Sequence, residues 1–167
     1  VLASASEHLR GLVRTLGAPV TSTLMGLGAF PGTDPLSLGM LGMHGTYEAN
    51  MAMDGADLVI ALGARFDDRV TNNPDKFSPK ATIIHMDIDA ASINKIIEAD
   101  IALLGDAGWV LEQLSARLAQ AMKSQQKSAL KQREDGLKNW WQQVDDWRST
   151  NGLNHDMQPQ ADKPILP

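Results

Sequence analysis

Two arginines and two aspartates, Arg65, Asp67, Asp68 and Arg69, crowd into one short segment just after Gly63-Ala64. A guanidinium presents a fixed fork of donors that matches a carboxylate, so the chemistry is expected to cluster in this segment. A solvated loop with two local ion pairs would use the same residues, and exposed pairs of that kind are common and weak. What sets this loop apart is its position. It follows Leu58-Val59-Ile60-Ala61-Leu62, an unbroken apolar run too short for an independent helix, which reads as a strand buried on both faces of a parallel sheet. The carboxyl edge of such a sheet is where open α/β folds bind ligands.

Two further segments belong at that edge. In Leu38-Gly39-Met40-Leu41-Gly42-Met43-His44-Gly45 a glycine recurs at every third position, and a short helix is expected to follow over Thr46 to Met51. Loop amides and a helix N-terminus together can cradle a phosphate, whereas the same glycines also serve tight turns with no ligand. His44 reads as a hydrogen-bonded loop histidine rather than a catalyst. Thr82 to Asp89 reads as the next strand, with Asp87 placed to accept hydrogen bonds from a ribose and Asp89 placed to cap a helix over Ala90 to Ile97.

The elements that must position these residues alternate along the chain. Ser4 and Glu7 have capping-box spacing, ahead of Leu9, Leu12, Val13 and Leu16 at helical spacing and a stop at Gly17. Val20 to Leu24 is a short β-branched strand that breaks into Met25-Gly26-Leu27-Gly28, and Phe30 to Pro35 is turn chemistry. Ile101 to Leu104 is the last strand; Asp106 then caps a helix with Val110, Leu111, Leu114 and Leu118 on its inner face. The strands near 20–24, 58–62, 82–87 and 101–104 are expected to run parallel, in an α/β, Rossmann-like sheet with helices on both faces. Because a helix opens the chain where a βαβ unit would place a strand, the first strand is expected to be missing, leaving the strands beside it with unpaired edges. Residues 1–122 form the expected core unit, and 123–167 a helical and proline-containing linker toward a following domain. Within it Trp140, Val144 and Trp147 recur at helical spacing, and Met157 to Pro167 reads as extended chain.

Composition bounds the partners. A net charge of -5 and a pI near 5.2 over 167 residues, with no basic block, argue against nucleic acid and anionic membranes. The chain has no Cys, hence no disulfide, thiolate metal site or cysteine nucleophile, which is compatible with a cytoplasmic location. The four histidines, His8, His44, His85 and His155, lack metal-site spacing, so no metal is expected.

Together TSTLMGLGAFP (Thr21 to Pro31), LGMLGMHGTYEAN (Leu38 to Asn50) and LGARFDDRVT (Leu62 to Thr71) resemble the central domain of the catalytic subunits of the acetohydroxyacid (acetolactate) synthase family. The resemblance implies a six-stranded Rossmann-like sheet holding FAD without a net redox role. It also implies a parent transferase that condenses pyruvate with a second 2-keto acid, pyruvate or 2-ketobutyrate, toward branched-chain amino acids. Thiamine diphosphate and Mg2+ would be bound by flanking domains of the same polypeptide, so this chain would hold no catalytic residue and would not catalyse alone. A homodimer or higher oligomer and a small regulatory subunit are further implied partners. By matching motif, Thr23, Leu24 and Met25 would line the flavin site and Leu41, Gly42, Met43 and His44 would continue it. Gly63, Ala64, Arg65, Asp67, Arg69 and Val70 would flank the dinucleotide, with Asp87 and Ile88 near its adenosine end and Asp106 and Ala107 closing the site. Met43, Asp68 and Arg69 would also face the substrate channel, where Arg69 would recognise the carboxylate of the second keto acid. The glycine-rich turn that usually follows the first strand is absent, so part of the pyrophosphate cradle is expected to be missing. Competing readings are another thiamine-diphosphate carboligase or pyruvate oxidase, a stand-alone ADP- or NAD-binding module, and an interaction domain using the Trp140/Trp147 face.

Overall fold

The computed structural model describes residues 3–152. The expected extended segment from Met157 onward lies outside them. In chain order the elements are α1 (Ser6–Leu16), β1 (Val20–Ser22), β2 (Ser37–Met40), α2 (Tyr47–Gly55), β3 (Leu58–Leu62), α3 (Asp68–Thr71), β4 (Thr82–Asp87), β5 (Ile101–Leu104), α4 (Ala107–Ser124) and α5 (Lys127–Asn151). All strand pairing is parallel: β1 with β2, and β3-β4-β5 in that order. The four strands expected from the sequence all form, and β2 adds a fifth in the glycine-rich segment.

The strands divide into a two-stranded and a three-stranded sheet rather than one continuous six-stranded sheet. Among the described residues β1 pairs only with β2 and β3 only with β4. A doubly wound sheet of order 3-2-1-4-5-6 from which strand 1 is removed reads 3-2 and 4-5-6. The observed β2-β1 and β3-β4-β5 follow that pattern, with one edge of β1 and one of β3 left unpaired.

Three apolar cores hold the layers. Met86, from one face of β4, packs with Leu12 of α1 and with Val110 and Leu111 of α4. The opposite face contributes Ile83, which joins Val59, Ala61, Phe66 and Ile97. The third core gathers Leu38, Leu41, Ala49 and Ala52 beneath α5, whose Val144 is fully buried. The Trp140/Val144/Trp147 spacing therefore marks a face docked within the domain, with Trp140 and Trp147 meeting edge-on at 5.7 Å. Polar clamps fix α5 in place. Arg133 donates to the carbonyls of Thr15 and Leu16, Trp141 Nε1 to that of Gly17, and Arg148 to those of Pro35 and Ser37.

Two local expectations fail. Ser4 and Glu7 form no capping box: α1 starts without a side-chain cap, because Ser4 takes a left-handed φ of 51° and Glu7 pairs with Arg10 instead. Ala90 to Ile97 forms successive turns, not a helix. There Asn94, at φ 58°, accepts the Ala99 N–H through its own side chain, a local bond that competes with helix formation. The Gly17 stop and the Asp106 cap form as expected, the first with φ 67° and its N–H on the Val13 carbonyl. None of the described helices is long and apolar enough to cross a membrane.

Candidate functional site

The sequence-derived site residues lie where parallel strands end. Beyond β1, Thr23 Oγ1 accepts the Gly26 N–H at 3.1 Å and starts a 3-10 turn that carries Leu24 and Met25, 69% and 82% exposed. Beyond β2, the Leu41 N–H bonds to the carbonyl of Ser22, so the 41–45 loop begins beside the end of β1. Met43 and His44 are exposed on that loop, and Leu41 is buried beneath it.

The loop after β3 is organised by Phe66. Although it sits among charged residues it is buried, at φ 54°, packing edge-on against Phe77 and against the ring of His85 at 4.9 Å. With Phe66 turned inward, Arg65, Asp67, Asp68 and Arg69 are left exposed, while Ala64 and Val70 are half-buried. One of the two local ion pairs forms, Arg65 with Asp67 at 3.6 Å. Gly63 takes φ 59° with open space where a side chain would be, and its N–H bonds to the Met86 carbonyl.

The 41–45 loop and the loop after β3 are locked together. Met43 N–H donates to the Arg69 carbonyl at 2.8 Å. A Cβ on Gly42, whose φ is 86°, would stand 2.2 Å from the Arg69 carbonyl oxygen and 2.9 Å from Val70 Cα. Asn50 of α2 bonds both backbone groups of Gly42, accepting its N–H at 2.7 Å and donating to its carbonyl at 3.0 Å. The amides of Gly42, Met43 and Gly45 are thus engaged within the chain. The glycine spacing serves close loop packing, the simpler of the two readings; an anion at this edge would be met by other groups.

Farther along, Asp87 is buried at the end of β4, and its Oδ1 accepts the Asp89 N–H at 2.9 Å. Ile88 beside it is 72% exposed. Asp106 caps α4 by accepting from Gly108 and Trp109, with Ala107 half-buried next to it. The site residues therefore share one edge, spread over the ends of five strands.

Three contributors escaped the sequence reading. Phe66 carried a signal in being the lone large apolar residue among charges. Asn50 carried none, since its contact with Gly42 depends on the packing of α2. His85, fully buried with both ring nitrogens lacking a partner, reads from sequence only as an inward strand position.

A parallel α/β array with its loops gathered at the carboxyl edge defines a Rossmann-like α/β domain, a fold that meets ligands at that edge. The chain belongs to the thiamine pyrophosphate enzyme central-domain family, which it matches over residues 1–114. It is 47% identical to the acetolactate synthase isozyme 3 large subunit of Escherichia coli (strain K12), over 98% of this chain and 27% of that relative. It is 44% identical to the acetolactate synthase large subunit of Haemophilus influenzae, with the same coverage. Over a shorter stretch, 70% of this chain and 18% of the relative, it is 52% identical to acetolactate synthase 1, chloroplastic, of Zea mays. The chain thus spans about a quarter of the length of the full-coverage relatives.

Proposed function

We propose that this chain is the FAD-holding central domain of an acetolactate synthase large subunit. The observation that carries the reading is the lock between the 41–45 loop and the loop after β3, which puts apolar and cationic side chains at one carboxyl edge. The residues present suit FAD. Exposed Leu24, Met25 and Met43 offer apolar surface for a flat ring system, while exposed Arg65 and Arg69 supply positive charge for a pyrophosphate. The open backbone at Gly63 permits close approach, and buried Asp87 with exposed Ile88 suits an adenosine. FAD, when bound, supplies no net electron transfer to the condensation.

In this reading residues 1–122 form the flavin unit, α5 of the 123–167 segment docks onto it, and that segment leads toward a following domain. Domains flanking it in the same polypeptide bind thiamine diphosphate and Mg2+ and carry out the condensation of pyruvate with a second 2-keto acid. Met43, Asp68 and Arg69 border the substrate channel, and Arg69 takes the carboxylate of the second keto acid. The parent enzyme assembles as a homodimer or larger oligomer with a small regulatory subunit.

Equilibrium titration separates this reading from a stand-alone ADP or NAD module. FAD should bind saturably and induce circular dichroism in the visible flavin bands, with ADP competing only weakly. ADP binding as tight as FAD, with no induced flavin signal, would assign the edge to a nucleotide module instead.

A further inference from the structure

A cavity of about 230 Å³ lies between α1, the strands β1 and β2, and the loop 27–32, beside the carboxyl end of β1. None of the residues assigned to the flavin or the substrate channel lines it. Its polar wall is Arg10 and Ser6 of α1 with Ser22 of β1 and Ser37 of β2; its apolar wall is Leu27, Phe30 and Pro31.

Arg10 is the one charged group in this lining. Its Nη2 pairs with Glu7, one turn back on the same helix, while its Nε is buried without an acceptor. A buried N–H lacking a partner is costly, and an ionised acceptor compensates it best. The opposing wall is braced. Asp34 accepts from the Leu36 N–H at 3.0 Å and lies 3.9 Å from Arg14, one turn beyond Arg10, so the 31–37 turn is tied to α1.

These features specify the ligand class. One cationic donor suits one negative charge, and the Glu7 carboxylate already paired with the guanidinium disfavours a dianion. The serine hydroxyls can bond the second oxygen of a carboxylate, and Leu27, Phe30 and Pro31 leave room for a few carbons rather than for a sugar or a second acid. A volume below that of drug-sized pockets limits the ligand to a handful of heavy atoms. We propose that this cavity is a binding site for a small monocarboxylate with a short apolar tail, built from residues other than those assigned to the dinucleotide.

The test is a titration of the isotopically labelled chain with isobutyrate, followed by 1H–15N spectra. Saturable shifts are expected at the Arg10 Nε–H and at the amides of Ser6, Ala29, Gly32 and Gly39. Isobutyramide, of the same shape without charge, and inorganic phosphate should each bind at least about tenfold more weakly, the scale of one charge-assisted bond. Arg10→Met should weaken isobutyrate by a similar factor. Arg10→Lys, which keeps the charge and loses Nε, should be intermediate and gives a second variant should the methionine substitution unfold the chain. Equal binding of the amide, tighter binding of phosphate, or shifts that fail to saturate at these groups would each overturn the assignment.

Discussion

Gly42→Ala probes the junction on which the site depends. At φ 86° an alanine bears left-handed strain of about 1–2 kcal/mol. Its methyl would also stand 2.2 Å from a backbone carbonyl oxygen, which cannot swing aside as a side-chain tip could. Displacing the Arg69–Val70 backbone adds an overpacking cost of roughly 1–3 kcal/mol. Gly63→Ala is the internal control: its φ of 59° imposes similar strain, but nothing lies within 4 Å of the new methyl. Urea unfolding should show Gly42→Ala destabilised by about 2–5 kcal/mol and Gly63→Ala by about 1–2 kcal/mol. The amide resonances of Met43, Arg69 and Val70 should move in the first variant alone. Equal destabilisation of the two variants, with those amides unmoved, would refute the claim that Gly42 is the contact point of the two loops.

Other substitutions read separate parts of the structure. Asn50→Ala removes both side-chain bonds to Gly42 and should cost about 1–3 kcal/mol in urea unfolding, with faster hydrogen exchange at the Gly42 amide. His85→Phe replaces two unpartnered buried nitrogens with a ring of similar shape; thermal melts should show it neutral or stabilised, and a loss above about 1 kcal/mol would mean that the imidazole has a partner. Arg148→Met removes donors from the Pro35 and Ser37 carbonyls and should lower stability by about 1–3 kcal/mol, exposing Trp141 to a fluorescence quencher. In a large subunit containing this chain, Arg69→Lys keeps the charge but loses the guanidinium fork. Steady-state kinetics there should show poorer use of the second keto acid at near-normal flavin content.

Most strand positions were legible because each is a short apolar or β-branched run closed by a polar or glycine residue, as in Leu58 to Leu62 before Gly63. β2 was harder to see, since Ser37-Leu38-Gly39-Met40 carries a glycine inside it and only Leu38 is buried. The turns over Ala90 to Ile97 were hidden because apolar spacing there matches a helix, whereas the left-handed Asn94 decides the backbone. The parallel edge was legible from chain order alone, for charged and glycine-rich segments directly follow strands. Its internal construction was not: Phe66 folding under the arginines, Asn50 gripping Gly42 and α5 covering the third core all depend on contacts between segments distant in sequence.

Mapping FAD onto the chain by 1H–15N shifts tests the central claim most directly. The account predicts saturable changes at Thr23 to Met25, Leu41 to His44, Gly63 to Val70, Asp87, Ile88, Asp106 and Ala107. The opposite edge, at Asp57, Thr82 and Asp100 where the strands begin, should stay unmoved. Shifts centred on that amino-terminal edge, or none at saturating FAD, would contradict it.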